Sequence, residues 1–408
     1  MAQPVAVVGA GPVGLAAAAH LLERGEVPLL LEAGTQVGAS IAQWRHVRLF
    51  TPWSLALDPA AVRLLRASGW QPPAPGDLPT GGELLDHYLR PLAALPALAS
   101  QVRLGHRVVA IARGGLDKAT TPGREARPFL LRVRRPDGQE LELEARAVLD
   151  ASGTWTRPNP LGATGLPALG EPQAAAAGLV VRGLPDVLGS ERDRFAGRRV
   201  LVVGAGHSAA TSLLALAELR RQRPATEVVW VVRRAAARPL VGKGEQDELP
   251  ARGRLTADLA GLLAAGEVEL ASGFRTAAVQ LLDHGVALVG DDGRRLEADL
   301  VVAATGFRPD LSLTRELRLG LDPALESAAA LAPLIDPNVH TCGTVPPHGW
   351  RELAHPEPGY FTVGMKSYGR APTFLLATGY GQVRSVVAHL AGDRRAADQV
   401  RPRLPAAA

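Results

Sequence analysis

Cysteine is almost missing: Cys342 is the one cysteine in 408 residues. That excludes an intramolecular disulfide framework and any Cys-x-x-Cys redox pair within the chain. Aromatic residues make up only 4% of the sequence, and no dense basic run interleaves with them. The formal net charge of +5 therefore gives no sign of nucleic-acid binding. No apolar run approaches the roughly 20 residues that span a bilayer. A basic start and a cleavage region are wanting too, because a glycine motif begins almost at Met1. The chain is therefore expected to be cytoplasmic, with no signal peptide. What is present is ordinary for a globular protein: 47% hydrophobic and 21% charged residues. The length predicts roughly two to three domains with large cores.

Against this background one pattern occurs twice. Val5-Ala6-Val7-Val8 runs into Gly9-Ala10-Gly11-Pro12-Val13-Gly14, and Val200-Leu201-Val202-Val203 runs into Gly204-Ala205-Gly206-His207-Ser208-Ala209. Each reads as a short buried parallel strand, a glycine turn and the start of a helix. In such a turn the first glycine allows the bend and the second lets the chain approach a pyrophosphate. The third permits close strand–helix packing, a place where Ala209 is tolerated. The helix N-terminus adds N–H groups and partial positive charge for phosphates. Gly9, Gly11, Pro12 and Gly14 are candidate contacts of one dinucleotide; Gly204, Gly206, Ser208 and Ala209 are candidates for a second. His207 reads either as a contact of a nicotinamide nucleotide or as a residue between domains.

The strands that follow the two motifs end differently. Pro28-Leu29-Leu30-Leu31 ends at Glu32, where an acid hydrogen-bonds a ribose 2′-hydroxyl and repels a 2′-phosphate. The first site thus suits FAD or NAD and disfavours NADP. Glu227 to Val232 ends instead in Arg233-Arg234, with Arg238 four residues on. That spacing suits a cationic pocket for the 2′-phosphate of NADPH, a solvated basic edge being the plainer alternative. Two nicotinamide nucleotides would imply transhydrogenation. FAD with NADPH implies hydride transfer to the flavin and onward from it. The lone Cys342 excludes a dithiol relay within the chain, leaving molecular oxygen or an external electron acceptor.

The remaining elements are expected as follows. Residues 83 to 98 read as a helix ending near Pro96. Residues 101 to 150 read as an antiparallel meander with a turn at Pro136-Asp137-Gly138. Ala147 to Gly153 reads as a strand ending in small residues, followed by a linker with Pro158, Pro160 and Pro167. Residues 255 to 266 read as a helix, and 268 to 300 as short strands with a turn at Asp291-Asp292-Gly293. A buried strand then ends at Thr305-Gly306. Tyr360 to Gly364 reads as a strand, and a helix opens at Thr378 and runs to about Leu390. Lys366-Ser367-Tyr368-Gly369-Arg370 reads as a basic loop, either at an active-site mouth or simply solvated. His340, Cys342, His348 and His355 match no metal-ligand spacing, so loop packing is expected and no metal site.

Gly38-x-x-x-x-x-Trp44, Leu49-Phe50-Thr51-Pro52, and Leu78-Pro79-Thr80 leading into Glu83 to Leu89 resemble flavin-containing monooxygenases. They also resemble the wider group of FAD- and NADPH-dependent oxidoreductases with two dinucleotide-binding domains. Arg233-Arg234-x-x-x-Arg238 is similar to the NADPH element of related disulfide reductases. The resemblance implies an α/β fold of two Rossmann-like domains. The FAD domain would comprise 1–160 and 301–408, interrupted by an NADPH domain at 170–300. It implies flavin contacts at Ser40, Trp44, Val108, Ser152, Gly153, Gly364, Thr378 and Gln382, although residue type alone makes Trp44 equally a core aromatic. Thr305 and Gly306, where the NADPH domain would link back to the FAD domain, would be further NADPH contacts.

The implied activity is insertion of one oxygen atom from O2 into a small substrate through a flavin hydroperoxide. At one place the chain departs from the family. Those monooxygenases carry Phe-x-Gly-x-x-x-His before the second glycine motif, whereas Val180 to Gly189 here holds no histidine. A reductase serving an external acceptor such as a ferredoxin, or a non-catalytic flavoprotein sensor, is the alternative. No residue reads as an acid–base catalyst.

Overall fold

The computed structural model describes residues 3–235, 247, 249–340, 345–372 and 374–400. They form two compact units. Unit 1 holds Met1–Arg45, Thr51–Arg157 and Arg308–Ala408; unit 2 holds His46–Phe50 and Pro158–Phe307. The chain crosses between them at 157–158 and 307–308. His46–Phe50 groups with unit 2, a membership that no local pattern announces.

Unit 1 starts with β1 (Val5–Val8), whose four side chains are all buried. The helix Pro12–Glu23 follows, with proline at the position where a missing N–H costs nothing. Next come β2 (Pro28–Leu31), β3 (Val102–Arg103), β4 (Arg107–Arg113), β5 (Phe129–Arg134), β6 (Glu140–Ala145) and β7 (Ala147–Asp150). β4, β5 and β6 make the antiparallel meander. Phe129, Leu131 and Val133 alternate inward and pack with Ile111, Val8 and Val148 in one core.

Between β2 and β3 the expected single helix is interrupted. Helix Gly81–Leu84, closed by a Thr80/Glu83 capping box, runs into a π-helical turn at Leu85–Leu89 and then into Arg90–Ala93. Pro91 is the physical reason. It has no N–H to give the carbonyl four residues back, and that carbonyl, on His87, accepts the Trp70 indole N–H instead at 2.9 Å. A separate turn of helix, Pro96–Ala99, follows.

Unit 2 contains β8 (Val180–Arg182), β9 (Arg199–Val203), the helix His207–Gln222, β10 (Glu227–Val231) and the helix Pro250–Ala264. β11 (Glu269–Ala271), β12 (Thr276–Leu281), β13 (Val286–Gly290), β14 (Arg295–Ala298) and β15 (Leu300–Ala303) complete it. The parallel sheet has the order β11-β10-β9-β15-β8, beside an antiparallel β12-β13-β14 sheet. Val200 and Val202 enter one core with Leu213, Leu216 and Trp230. Leu201 and Val203 enter another, with Phe274 and Val286. Burial on both faces explains why the strand is apolar throughout rather than alternating.

Back in unit 1, β16 (Tyr360–Thr362) completes a parallel sheet of order β16-β7-β1-β2-β3. Beyond it the chain turns into a short 3-10 helix at Gly364–Tyr368, then the helix Leu376–Leu390. This is the mixed α/β architecture with two parallel sheets that the two glycine motifs imply. Among the described residues no helix is long and apolar enough to cross a membrane. No group of three or more His, Cys, Asp or Glu among them could hold a metal ion.

Candidate functional site: two glycine turns

In both units the glycine turn leaves the C-terminal end of a central strand, where open α/β sheets bind ligands. In unit 1, Gly9 has φ +96°, and a Cβ there would stand 2.8 Å from the Ala151 carbonyl oxygen. A Cβ on Gly14 would lie only 1.9 Å from the Gly9 oxygen, whereas one on Gly11 would meet nothing within 4 Å. The first intrahelical bond runs from Leu15 N–H to Gly11 oxygen at 2.9 Å, so the N–H groups of Gly11, Val13 and Gly14 lie ahead of it. Open space over the second glycine and N–H groups at the helix start fit a pyrophosphate.

Glu32 ends β2 as expected, and its carboxylate also ties the turn together. It accepts from Ala10 N–H at 2.8 Å and from Gly34 N–H at 2.7 Å. Around the turn gather Ser152, whose Cα would be 3.1 Å from a Gly9 Cβ, and Gly364 and Gly379, both against Val13. Gly153 has φ +70° and open space beside it. Thr378 is half-buried in the first turn of Leu376–Leu390.

Three of the expected flavin contacts have protein partners of their own. Trp44 lies on Gly81, where a Cβ would meet the indole at 2.8 Å. Val108 pairs with Val133 next to a β-bulge and packs on the meander core. Gln382 is fully buried: its oxygen accepts from Gly364 N–H at 2.8 Å, and its nitrogen contacts Ser367 Oγ at 2.9 Å and His348 Nε2 at 3.0 Å. The Gly364 N–H therefore serves an internal brace. Ser40 is half-buried in the short helix Ala39–Ala42.

The loop expected to be basic and solvated, or at an active-site mouth, is a correction. The Lys366 side chain is fully buried and lies 2.6 Å from Asp150 Oδ2. Tyr360 donates to the same oxygen at 2.9 Å, and Ser152 Oγ donates to Asp150 Oδ1 at 2.6 Å. Burial and the neighbouring Asp150 push the Tyr360 hydroxyl well above its ordinary pKa. An acid closing an otherwise apolar strand, Ala147-Val148-Leu149-Asp150, was the one sequence signal for this network.

In unit 2, Gly204 has φ +140°, and Gly206 has open space for a phosphate. Ala209 is fully buried without conflict, because the Trp230 indole N–H holds the Gly204 carbonyl at 2.7 Å. Ser208 is half-buried in the first turn of the helix. The His207 ring leans on Phe50, centroids 5.1 Å apart, and its buried Nε2 has no hydrogen-bond partner among the described residues. Burial and then nearby Arg252 lower its pKa, with Asp247 opposing, so the imidazole is neutral at pH 7. Arg233 and Arg234 are exposed beyond β10 and pair with no carboxylate among the described residues. Arg238 lies outside the described residues. Thr305 donates through its hydroxyl to Asn159 oxygen at 2.7 Å, and Gly306 oxygen accepts Asn159 N–H at 2.9 Å, so both hold the Pro158–Phe307 bridge within unit 2.

Of the other candidate histidines, His348 and His355 are buried. His348 Nδ1 contacts Pro346 oxygen at 3.0 Å, and burial lowers its pKa against Pro346 and Glu352. His355 tilts on Tyr360 at 5.7 Å, and burial pushes it down to about 4. His340 contributes its backbone N–H to Asp336 oxygen; Cys342 lies outside the described residues.

The sequence matches the pyridine nucleotide-disulphide oxidoreductase family over residues 3–355. No curated protein matches it. Among solved structures it is similar to the bacillithiol disulfide reductase of Bacillus cereus, at 17% identity and a TM-score of 0.71, covering 96% of this chain and 99% of that one. A mutant flavin monooxygenase from Stenotrophomonas maltophilia follows at 22% identity and 0.60, covering 96% and 98%. An ornithine N-hydroxylase from Kutzneria sp. 744 is similar at 18% identity and 0.63, covering 96% and 100%. Reductases and oxygenases thus share this fold.

Proposed function

This chain belongs to the pyridine nucleotide-disulphide oxidoreductase family and uses FAD and NAD(P)H; from that premise we propose that it is an NADPH-dependent flavoprotein monooxygenase. Its substrate is small and either nucleophilic, at nitrogen, sulfur or a metalloid, or a ketone. The balanced reaction consumes NADPH, a proton, O2 and substrate, and yields NADP+, water and the oxygenated product. FAD, when bound, supplies hydride acceptance and delivery of electrons to oxygen.

The residues divide the work. Gly11 and Gly14 let the first dinucleotide approach the helix Pro12–Glu23, with Ser152 and Gly153 beside it. Glu32 keeps a 2′-phosphate out of that site by charge. Gly206 and Ser208 hold the pyrophosphate of the second dinucleotide, and neutral His207 adds no charge to it. Arg233 and Arg234 select the 2′-phosphate. The observation that carries the oxygenase reading is compositional: with one cysteine in the chain, electrons have no internal dithiol to enter, and oxygen is the acceptor always present. The similarity to an N-hydroxylase whose structure is described with reduced FAD, NADP+ and L-ornithine is in keeping with it.

Stopped-flow reduction by NADPH under nitrogen, followed by 18O2 and a panel of amine, thioether, metalloid and ketone substrates, tests this reading. One 18O atom in product for each NADPH consumed is the expected outcome. Quantitative release of hydrogen peroxide with every substrate would overturn it. The absent Phe-x-Gly-x-x-x-His element favours a second reading, a reductase for an external acceptor. Faster oxidation by a ferredoxin than by oxygen would select that one.

A further inference from the structure

The two units end corresponding strands in opposite ways. β7 lies beside β1 with Val8 opposite Asp150, and β15 lies beside β9 with Val203 opposite Ala303. Each of these positions directly precedes a glycine turn in the neighbouring strand. Each strand then continues as a small residue, a hydroxyl residue and glycine: Ala151-Ser152-Gly153 and Ala304-Thr305-Gly306. Unit 2 builds this strand end with an alanine that is 5% exposed, so the fold itself has no need of a carboxylate here. A fully buried Asp–Lys pair is weak evidence for stability, because desolvation opposes the Coulombic gain. Its presence in one unit alone calls for another explanation.

The geometry supplies one. Lys366 bonds Asp150 Oδ2 at 2.6 Å and Ser152 Oγ at 3.0 Å, while Ser152 reaches Asp150 Oδ1 through both its hydroxyl and its N–H. Tyr360 closes the set from β16. Ala151, between the two bonded residues, presents the carbonyl that walls the Gly9 bend, 2.8 Å from the position of a Cβ there. The network therefore fixes the loop forming one side of the first glycine turn, and it does so from a segment more than 200 positions away in the chain.

We infer that Lys366 is a positioning residue of the FAD site. By bridging Asp150 and Ser152 it holds Ala151–Gly153 against the Gly9 turn in the arrangement that keeps the space over Gly11 and Gly153 open. This rests on the assignment of FAD to unit 1. Lys366 acts through Ser152 and Asp150, so its role is geometric: removing it shifts the loop and changes how the dinucleotide is held.

Single removal of Lys366 leaves a buried unpaired carboxylate and tests folding instead, so the decisive variant is Lys366→Met with Asp150→Ala, which copies the apolar end of β15. Ser152→Ala is a milder companion at an exposed position. The full-length protein, purified in excess FAD, is followed for FAD dissociation and for the visible circular dichroism of bound flavin. NADP+ binding to the same preparations and thermal unfolding report whether the fold is intact. The double variant is expected to lose FAD affinity by about tenfold or more, with an altered visible spectrum and unchanged NADP+ binding. Ser152→Ala is expected to show the same spectral change with a smaller loss, and it decides the matter if the double variant does not fold. Wild-type affinity and spectrum in the folded variants would overturn the inference. A wild-type protein that binds no FAD would instead remove the unit 1 assignment on which the inference stands.

Discussion

In unit 1 the Gly9 carbonyl points where a side chain on Gly14 would have to go, 1.9 Å from its Cβ. In unit 2 the Trp230 indole draws the Gly204 carbonyl to 2.7 Å, and Ala209 takes the third place of the turn fully buried. The same spacing of small residues thus meets two different steric demands, set by where one carbonyl oxygen goes. Polarity differs in the same way. Unit 1 surrounds its turn with Glu32, Asp150, Lys366 and the Gln382 brace, whereas unit 2 closes the matching strand with Ala303 and leaves Arg233 and Arg234 exposed. A turn enclosed by polar groups is specified in detail but exposed to pH and to loss of a partner. An apolar one tolerates substitution.

The largest expected effect breaks the contrast directly. Gly14→Ala forces a methyl into a backbone carbonyl and should cost about 3–5 kcal/mol, with loss of bound flavin. Denaturant melts and the visible spectrum check it; a near-neutral variant would mean that the unit 1 turn can relax as unit 2 does.

Acid comes next, acting on unit 1 through buried His355. His355 falls to about 4 in the folded state, below its ordinary value of 6.5. Its contribution is therefore intact above pH 6.5 and is lost as pH falls toward 4, reaching at most about 3 kcal/mol. Unfolding free energies at pH 7 and pH 4.5 should show this fall, and His355→Phe should flatten it.

Replacing Arg233 and Arg234 with serine should raise KM for NADPH about tenfold or more while leaving NADH nearly unaffected. Steady-state kinetics with both nucleotides check the charge contrast with Glu32, and equal effects would contradict the 2′-phosphate assignment. Smallest is Ala209→Gly, expected to cost only about 1 kcal/mol through helix propensity and to leave nucleotide binding in place.

Much of this arrangement was legible residue by residue. Both glycine turns, their strands and helices, Glu32 and the arginine pair stand where local pattern predicted them, since each depends on a few adjacent residues. Lys366 was misread because a lysine flanked by Ser367, Tyr368 and Gly369 looks solvated when its partner lies far away in sequence. Gln382 was legible as a residue near the first turn, yet its partners, Gly364, Ser367 and His348, could not be read from a helix start. The interruption at Leu85–Leu89 escaped because the carbonyl that Pro91 leaves unbonded is rescued by Trp70, seventeen positions before His87.

By itself the sequence determined the class of the molecule: two parallel sheets, two glycine turns, one followed by an acid and the other by an arginine pair, and no dithiol. Those properties follow from side-chain periodicity, backbone freedom at glycine and the charge at a strand end, all of which act over short spans. Only the tertiary structure decided which polar groups face a ligand and which face each other. A buried carboxylate or ammonium must find an opposite charge or a hydrogen-bond partner wherever the fold brings one, and Asp150 found its own 216 residues further along the chain.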